Sequence, residues 1–168
     1  MRDLLVASTR DGTPVLGVCL GAQLLAAACG GRVETSAHGI EAGVVDVTWL
    51  PAAGDDPLVG GLPDPLAGPS MHLDAVVELP PGATWLGRTA HSPHQVFRVG
   101  RAAWGVQFHP EVSRATFEAW AALHEDDWPA WGLSGEQVVR DLDDRAGDVE
   151  AAGRALATRF AQLLPGRV

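Results

Sequence analysis

Lysine is absent from the 168 residues, and all 12 basic residues are arginines placed singly along the chain. With 21 acidic residues and a formal net charge of -9, nothing resembles the basic stripe that follows a phosphate backbone or rests on an anionic lipid surface. Neither nucleic acid nor a membrane is therefore expected as a partner. Without lysine there is also no Gly-x-x-x-x-Gly-Lys-Ser/Thr phosphate loop, so any ATP-dependent step lies elsewhere. Cysteine occurs only twice, as Cys19 and Cys29. A helix between them would hold their Cα atoms about 15 Å apart, beyond disulfide reach, so free thiols are expected. Long apolar runs are missing too. The most apolar stretch, residues 14–28, is interrupted by proline, glycine and glutamine and falls short of the roughly 20 residues a membrane helix needs. The N-terminus shows no basic region followed by an apolar core and cleavage site, which makes the cytoplasm the expected compartment.

The composition is otherwise that of a globular chain, 46% hydrophobic and 20% charged, enough for one domain spanning residues 1–168. Residues 1–10 have amphipathic helical spacing, broken by Asp11 and Gly12. Residues 14–18 are short, apolar and bounded by turn formers, as a buried parallel strand would be. A helix is expected over 20–29, closed by Gly30 and Gly31. Strands follow over 32–35, 43–50, 71–79, 83–89, 94–99 and 102–108. Residues 51–69, rich in proline, glycine and aspartate, read as a surface excursion. Helical spacing returns over 113–124, with Ser113 as N-cap, and again over 134–164 as one or two closing helices. The tryptophans Trp120, Trp128 and Trp131 are expected to pack these helices onto the sheet. The acids of 141–144 read as solvating charge, and His91 and His94 lack companions for a zinc set, so no metal is expected.

The most informative stretch is Gly17-Val18-Cys19-Leu20-Gly21-Ala22-Gln23, with a cysteine between two glycines where a strand meets a helix. Glycines at these places let the backbone turn sharply and leave the cysteine at the apex. A helix N-terminus favours its thiolate through the macrodipole and free N–H groups. The Leu20 N–H would face a developing oxyanion. A thiol nucleophile needs a base, and Gly105-Val106-Gln107-Phe108-His109-Pro110-Glu111 supplies one. Pro110 biases His109 towards an extended conformation, so residues two apart share a side and Glu111 can hold the imidazole. Cys29 reads as a packing thiol.

These two segments, in this order, resemble the signature motifs of class I glutamine amidotransferases. Between them, Met71-His72-Leu73-Asp74 and Leu79-Pro80-Pro81-Gly82-Ala83 are similar to segments of stand-alone members like the glutaminase domain of GMP synthase. The resemblance covers residues 13–119 well and the closing helices more weakly. It implies an α/β fold, flavodoxin-like and three-layered, with a mostly parallel sheet flanked by helices. It also implies a catalytic triad, Cys19 attacking the glutamine side-chain amide, His109 protonating the departing ammonia and Glu111 orienting His109, through a glutamyl thioester. Leu20, Gln23, Met71, His72, Leu73 and Asp74 map onto glutamine-contacting positions, although Met71 and Leu73 depart from the commoner residues there. No cofactor is implied. The implied partners are L-glutamine or a related γ-glutamyl amide and a synthetase or ammonia-accepting subunit in trans. Family members open with further strand and helix units, one bearing a glycine-rich loop with a second oxyanion donor, so the chain is expected to be N-terminally incomplete. Two alternatives remain at this point: a γ-glutamyl hydrolase using the same machinery, and a catalytically impaired remnant that only binds a partner.

Overall fold

The computed structural model describes residues 1–166. The chain begins with helix α1 (Arg2–Asp11), strand β1 (Val15–Val18) and helix α2 (Leu20–Ala28). Seven strands follow: β2 (Arg32–Thr35), β3 (Glu41–Trp49), β4 (Leu66–His72), β5 (Asp74–Glu78), β6 (Thr84–Arg88), β7 (Val96–Val99) and β8 (Ala103–Val106). Helices α3 (Arg114–Leu123), α4 (Gly135–Asp144) and α5 (Ala146–Leu163) close the chain. Six strands form one sheet in the order β1-β8-β7-β6-β3-β4, while β2 and β5 form a separate antiparallel pair.

The α/β class and the flanking helices agree with the sequence, but the sheet is mixed rather than mostly parallel. Within the six-stranded sheet β1 and β8 pair in parallel, and the other four pairings are antiparallel. Parallel neighbours need a long crossover, usually helical. From β2 to β8 the chain contains no α-helix, so its strands return as hairpins and antiparallel neighbours.

Residues 51–69 are also not a surface excursion. Ala53, Leu58, Val59 and Leu62 are buried with Val47, Leu86, Trp104, Phe108 and Leu156 in the main core. Leu66–His72 is an almost wholly buried strand, running antiparallel to β3 from Leu66 opposite Val47 to His72 opposite Glu41. Pro69 lies within it because β4 ends the sheet, where a missing N–H interrupts no pairing on the outer side. The loop ahead of β4 is pinned by Asp56, which accepts from Trp104 Nε1 at 3.0 Å and from the Leu58 N–H at 2.9 Å and pairs with Arg98 at 2.8 Å. The single strand expected over 71–79 breaks at Leu73 into β4 and β5, which join different sheets.

The alternation of strand side chains builds a layer on each face. Ala103 and Phe97 point to the cluster formed with Ala22, Leu25 and Ala26 of α2. Their neighbours Trp104, Val106 and Val96 join the opposite cluster, which includes Ala152 and Leu156 of α5. Burying a side chain such as Phe97 contributes about 1.5–3 kcal/mol. A further cluster, with Phe117, Trp128, Val138 and Leu142, ties α3 and α4 to Ile40 and Ala67. The helix ends follow the sequence: Ser113 and Ser134 accept from the N–H groups of Thr116 and Gln137, and Gly30, at φ +94, terminates α2.

Candidate active site

The parallel pairing of β1 with β8 brings the two motifs together. Val18 is in register with Val106, so Cys19, one residue later, and His109, three residues later, leave the sheet at the same carboxyl end. That end is where open α/β sheets place their sites.

Cys19 is the N-cap of α2, with φ +47 and ψ -106, the one non-glycine residue of positive φ among the described residues. Such a backbone costs about 1–3 kcal/mol and persists only when its surroundings hold it. Here the Cys19 N–H donates to the Val106 carbonyl at 2.8 Å, and the Cys19 carbonyl accepts from the Gln23 N–H at 3.0 Å. Gly17 makes the turn possible, because a Cβ there would come within 2.5 Å of the Gly21 carbonyl oxygen. A Cβ on Gly21 would meet nothing within 4 Å, so close approach belongs to Gly17 alone. The sulfur stands at the positive end of α2, whose first N–H groups, beginning with Leu20, have no acceptor inside the helix. Gln107 Nε2 lies 3.5 Å from it as a donor. The Leu20 side chain is exposed.

His109 is largely buried and held from three directions. Its N–H donates to the Pro69 carbonyl at 2.7 Å, its Nδ1 meets Glu111 Oε1 at 2.8 Å, and Trp120 packs against the ring at an interplanar angle of 61° with centroids 4.7 Å apart. With Nδ1 engaged, Nε2 is left for the Cys19 sulfur. Burial pulls the His109 pKa down, but the interactions with Cys19 and Glu111 outweigh it and raise the pKa from 6.5 to about 9. Burial also pushes the Glu111 carboxyl up, yet the hydrogen bond from His109 and a backbone N–H hold it below the ordinary value of 4.5.

The remaining expected residues divide. The Gln23 amide donates to the Asp74 carbonyl at 2.8 Å and approaches Gln107 Oε1 at 3.4 Å, which joins the 71–74 segment to the elbow. Asp74 turns its carboxylate away to accept from Thr35 Oγ1 at 2.8 Å. Leu73 is exposed, and Met71 packs against the cluster beneath α3 and α4. His72 points inward, 6% exposed, with Nδ1 3.0 Å from the Asp74 carbonyl and Nε2 2.9 Å from Glu41. Three participants had no site role in the sequence reading: Glu41, Gln107, quoted only within its motif, and Trp120, expected only to pack its helix onto the sheet. Gln107 carried a signal, since it is a polar residue between Val106 and Phe108 at the end of an apolar strand. Trp120 gave none, because its approach to His109 depends on how α3 docks. A groove between α3 and α4, lined by Arg114, Trp128, Leu133 and Arg140, does not include Cys19, His109 or Glu111 in its lining.

Fold and site together define an α/β domain that presents a cysteine on a strand-to-helix elbow beside a histidine–glutamate pair. The chain belongs to the glutamine amidotransferase class-I family, whose model matches residues 4–121. It is 40% identical over 121 residues to a subunit of the glutamine-hydrolyzing GMP synthase of Halobacterium salinarum, an alignment covering 67% of this chain and 63% of that protein. It is 36% identical over 147 residues to the glutamine-hydrolyzing GMP synthase of Thermus thermophilus, covering 82% of this chain and 28% of the relative. The chain thus spans under two thirds of the length of these relatives. Among solved structures, a glutamine amidotransferase from Methylobacillus flagellatus superposes with a TM-score of 0.85 at 27% identity, over 99% of this chain and 70% of the other. One from Thermotoga maritima gives 0.80 at 25% identity, over 96% and 68%. Among the described residues no helix is long and apolar enough to cross a membrane.

Proposed function

We propose that this chain, acting as one domain, hydrolyses the side-chain amide of L-glutamine and that its ammonia serves a synthetase partner. The observation that carries this reading is the meeting, across the β1–β8 pair, of a strained Cys19 elbow with a His109 ring braced by Glu111. Cys19 Sγ attacks the amide carbon of glutamine, and the Leu20 N–H donates to the oxyanion that forms. The carbon–nitrogen bond then breaks. His109, a proton donor with a pKa of about 9, gives its proton to the leaving nitrogen, and ammonia departs from a glutamyl thioester. Water attacks the thioester carbonyl while the now neutral His109 takes its proton. Glutamate leaves and the Cys19–His109 pair is restored. Gln23 and the 71–74 segment form the side of the site that receives the glutamine backbone. The synthetase partner is supported by the Halobacterium salinarum relative, which is named as one subunit of a GMP synthase.

Ammonia release from L-glutamine, followed with the purified chain alone and in the presence of a separate synthetase, tests the reading. Release that Cys19→Ala lowers by at least about 10⁴-fold is expected. A folded chain that releases no ammonia under either condition contradicts it, and release from other γ-glutamyl amides but not glutamine would transfer the reading to that substrate class.

A further inference from the structure

We propose that Glu41 is a positioning residue for amide hydrolysis, a buried hub that fixes the 71–74 segment against the Cys19 elbow. The proposal rests on the amide-hydrolysis reading but is carried by a separate set of contacts.

Glu41 opens β3 and is 4% exposed. Its carboxylate meets His72 Nε2 at 2.9 Å and accepts from Ser70 Oγ at 3.3 Å, and it accepts short hydrogen bonds from Thr89 Oγ1 and Gln95 Nε2. Four donors from β4 and from the β6–β7 region thus converge on one acid. Burying a carboxylate costs several kcal/mol, and an apolar replacement of similar volume is often as stable or more so. A buried charge with this many partners is therefore explained better by what it holds in place than by stability.

What it holds is the approach to the nucleophile. From Glu41 the contacts pass through the His72 ring to the Asp74 carbonyl, 3.0 Å from Nδ1. The same carbonyl accepts from Gln23 at 2.8 Å, and Gln23 reaches Gln107, whose Nε2 is 3.5 Å from Cys19 Sγ. Gln95 provides a second route, since its carbonyl accepts from the Gln107 N–H at 2.8 Å. Ser70 provides a third, because the preceding carbonyl, that of Pro69, holds the His109 N–H at 2.7 Å. Strand β4 ends beside this hub, and the exposed Leu73 and the backbone of Asp74 follow at once. Gln23 ties that break to α2 directly, and the Ser36 N–H ties it to the strand after α2 by donating to the Leu73 carbonyl at 2.8 Å. The Glu41–His72 contact braces the same break from the β3 side. Glu41 itself touches neither the cysteine nor His109, so its effect on turnover passes through the segment it holds.

The test compares the parent chain with Glu41→Gln, and with Thr89→Val, which keeps shape while removing the hydroxyl that donates to Glu41 and accepts from the Ser92 N–H at 2.9 Å. Amide hydrogen exchange by mass spectrometry and steady-state glutamine hydrolysis are both measured. The expected result is faster exchange confined to residues 71–75 and their neighbours, with α4 and α5 unchanged. KM for L-glutamine should rise about ten-fold in Glu41→Gln and a few-fold in Thr89→Val, with kcat within about three-fold of the parent. Iodoacetamide should alkylate Cys19 at the parent rate, because the backbone hydrogen bonds of the elbow do not involve Glu41. Parent-like exchange and KM would overturn the proposal, as would acceleration spread over the whole chain. Where Glu41→Gln does not fold, Thr89→Val decides by the same criteria. Should the parent release no ammonia, the amide-hydrolysis reading fails while the exchange pattern still judges the hub.

Discussion

The two sides of the site are built in opposite ways. The nucleophile side is local: seven residues from Gly17 to Gln23 contain the strand end, the positive-φ turn and the first turn of α2. The facing side, residues 71–74, has no such local device. It is a break between strands of two different sheets, braced through Glu41, whose partners Ser70, His72, Thr89 and Gln95 lie 29 to 54 residues from it in sequence. A local device can be read from spacing and destroyed by one atom in the wrong place. A long-range one is invisible to spacing and weakens by degrees.

The largest effect that would sharpen this contrast is expected at the elbow. Gly17→Ala drives a Cβ to 2.5 Å from the Gly21 carbonyl oxygen. Neither backbone can retreat without opening the turn, so a stability loss of about 3 kcal/mol is expected, read as a lower melting temperature together with loss of ammonia release. Gly21→Ala, which meets open space, should leave the melting temperature at the parent value. Equal losses in the two variants would show that the turn is not set by the approach at Gly17.

Next in size is Glu111→Gln. The carboxylate is one of the groups that raise the His109 pKa to about 9, so its removal lowers that pKa. In the proposed mechanism His109 protonates the leaving nitrogen, so activity should be lost as pH rises through its pKa. The alkaline limb of kcat/KM, near pH 9 in the parent, should move down, and the rate at neutral pH should fall by about 10²-fold. An unmoved limb would separate Glu111 from the imidazole.

A smaller effect is expected from Gly153→Ala on α5. A Cβ there runs into the Pro110 carbonyl, so the 109–111 segment must shift while the elbow stays as it is. Ammonia release should fall about ten-fold, with Cys19 alkylation by iodoacetamide unchanged. The smallest effect concerns stability against pH. The folded-state pKa of His109 lies above its ordinary value of 6.5, so its contribution is complete below 6.5 and lost as pH rises through about 9. Burial pushes Glu41 up, but hydrogen bonds from His72 and Thr89 bring it below 4.5, so its contribution is present above 4.5 and lost as pH falls through the lowered value. Melting temperature against pH should flatten on the alkaline side in His109→Ala and on the acid side in Glu41→Gln.

The sequence made the helices and the two motifs legible for a physical reason. Ser113, Ser134 and Gly30 mark ends through contacts within a few residues, and Gly17 to Gly21 is a single turn. Residues 51–69 misled because proline and glycine suggest a loop, whereas Pro69 sits in an edge strand and Leu58, Val59 and Leu62 fill the core. Strand direction was legible for residues 14–18, read as a parallel strand and paired in parallel with β8, but not for the later strands, whose side chains carry no mark of the direction in which they pair. At the site, Cys19, His109 and Glu111 lie in contiguous motifs and the structure brings them together. Glu41 is a lone acid ahead of an apolar strand, and only the fold reveals its partners. His72 sits in a readable motif, yet its direction, towards Glu41 rather than outward, comes from packing.

The most direct test of the central claim is the mass of the intact chain quenched in acid during turnover of L-glutamine. A fraction of the protein heavier by glutamine less ammonia is predicted, with the added mass on the peptide bearing Cys19 and absent in Cys19→Ala. Turnover without any adduct at Cys19, or an adduct mapped to Cys29, would contradict it.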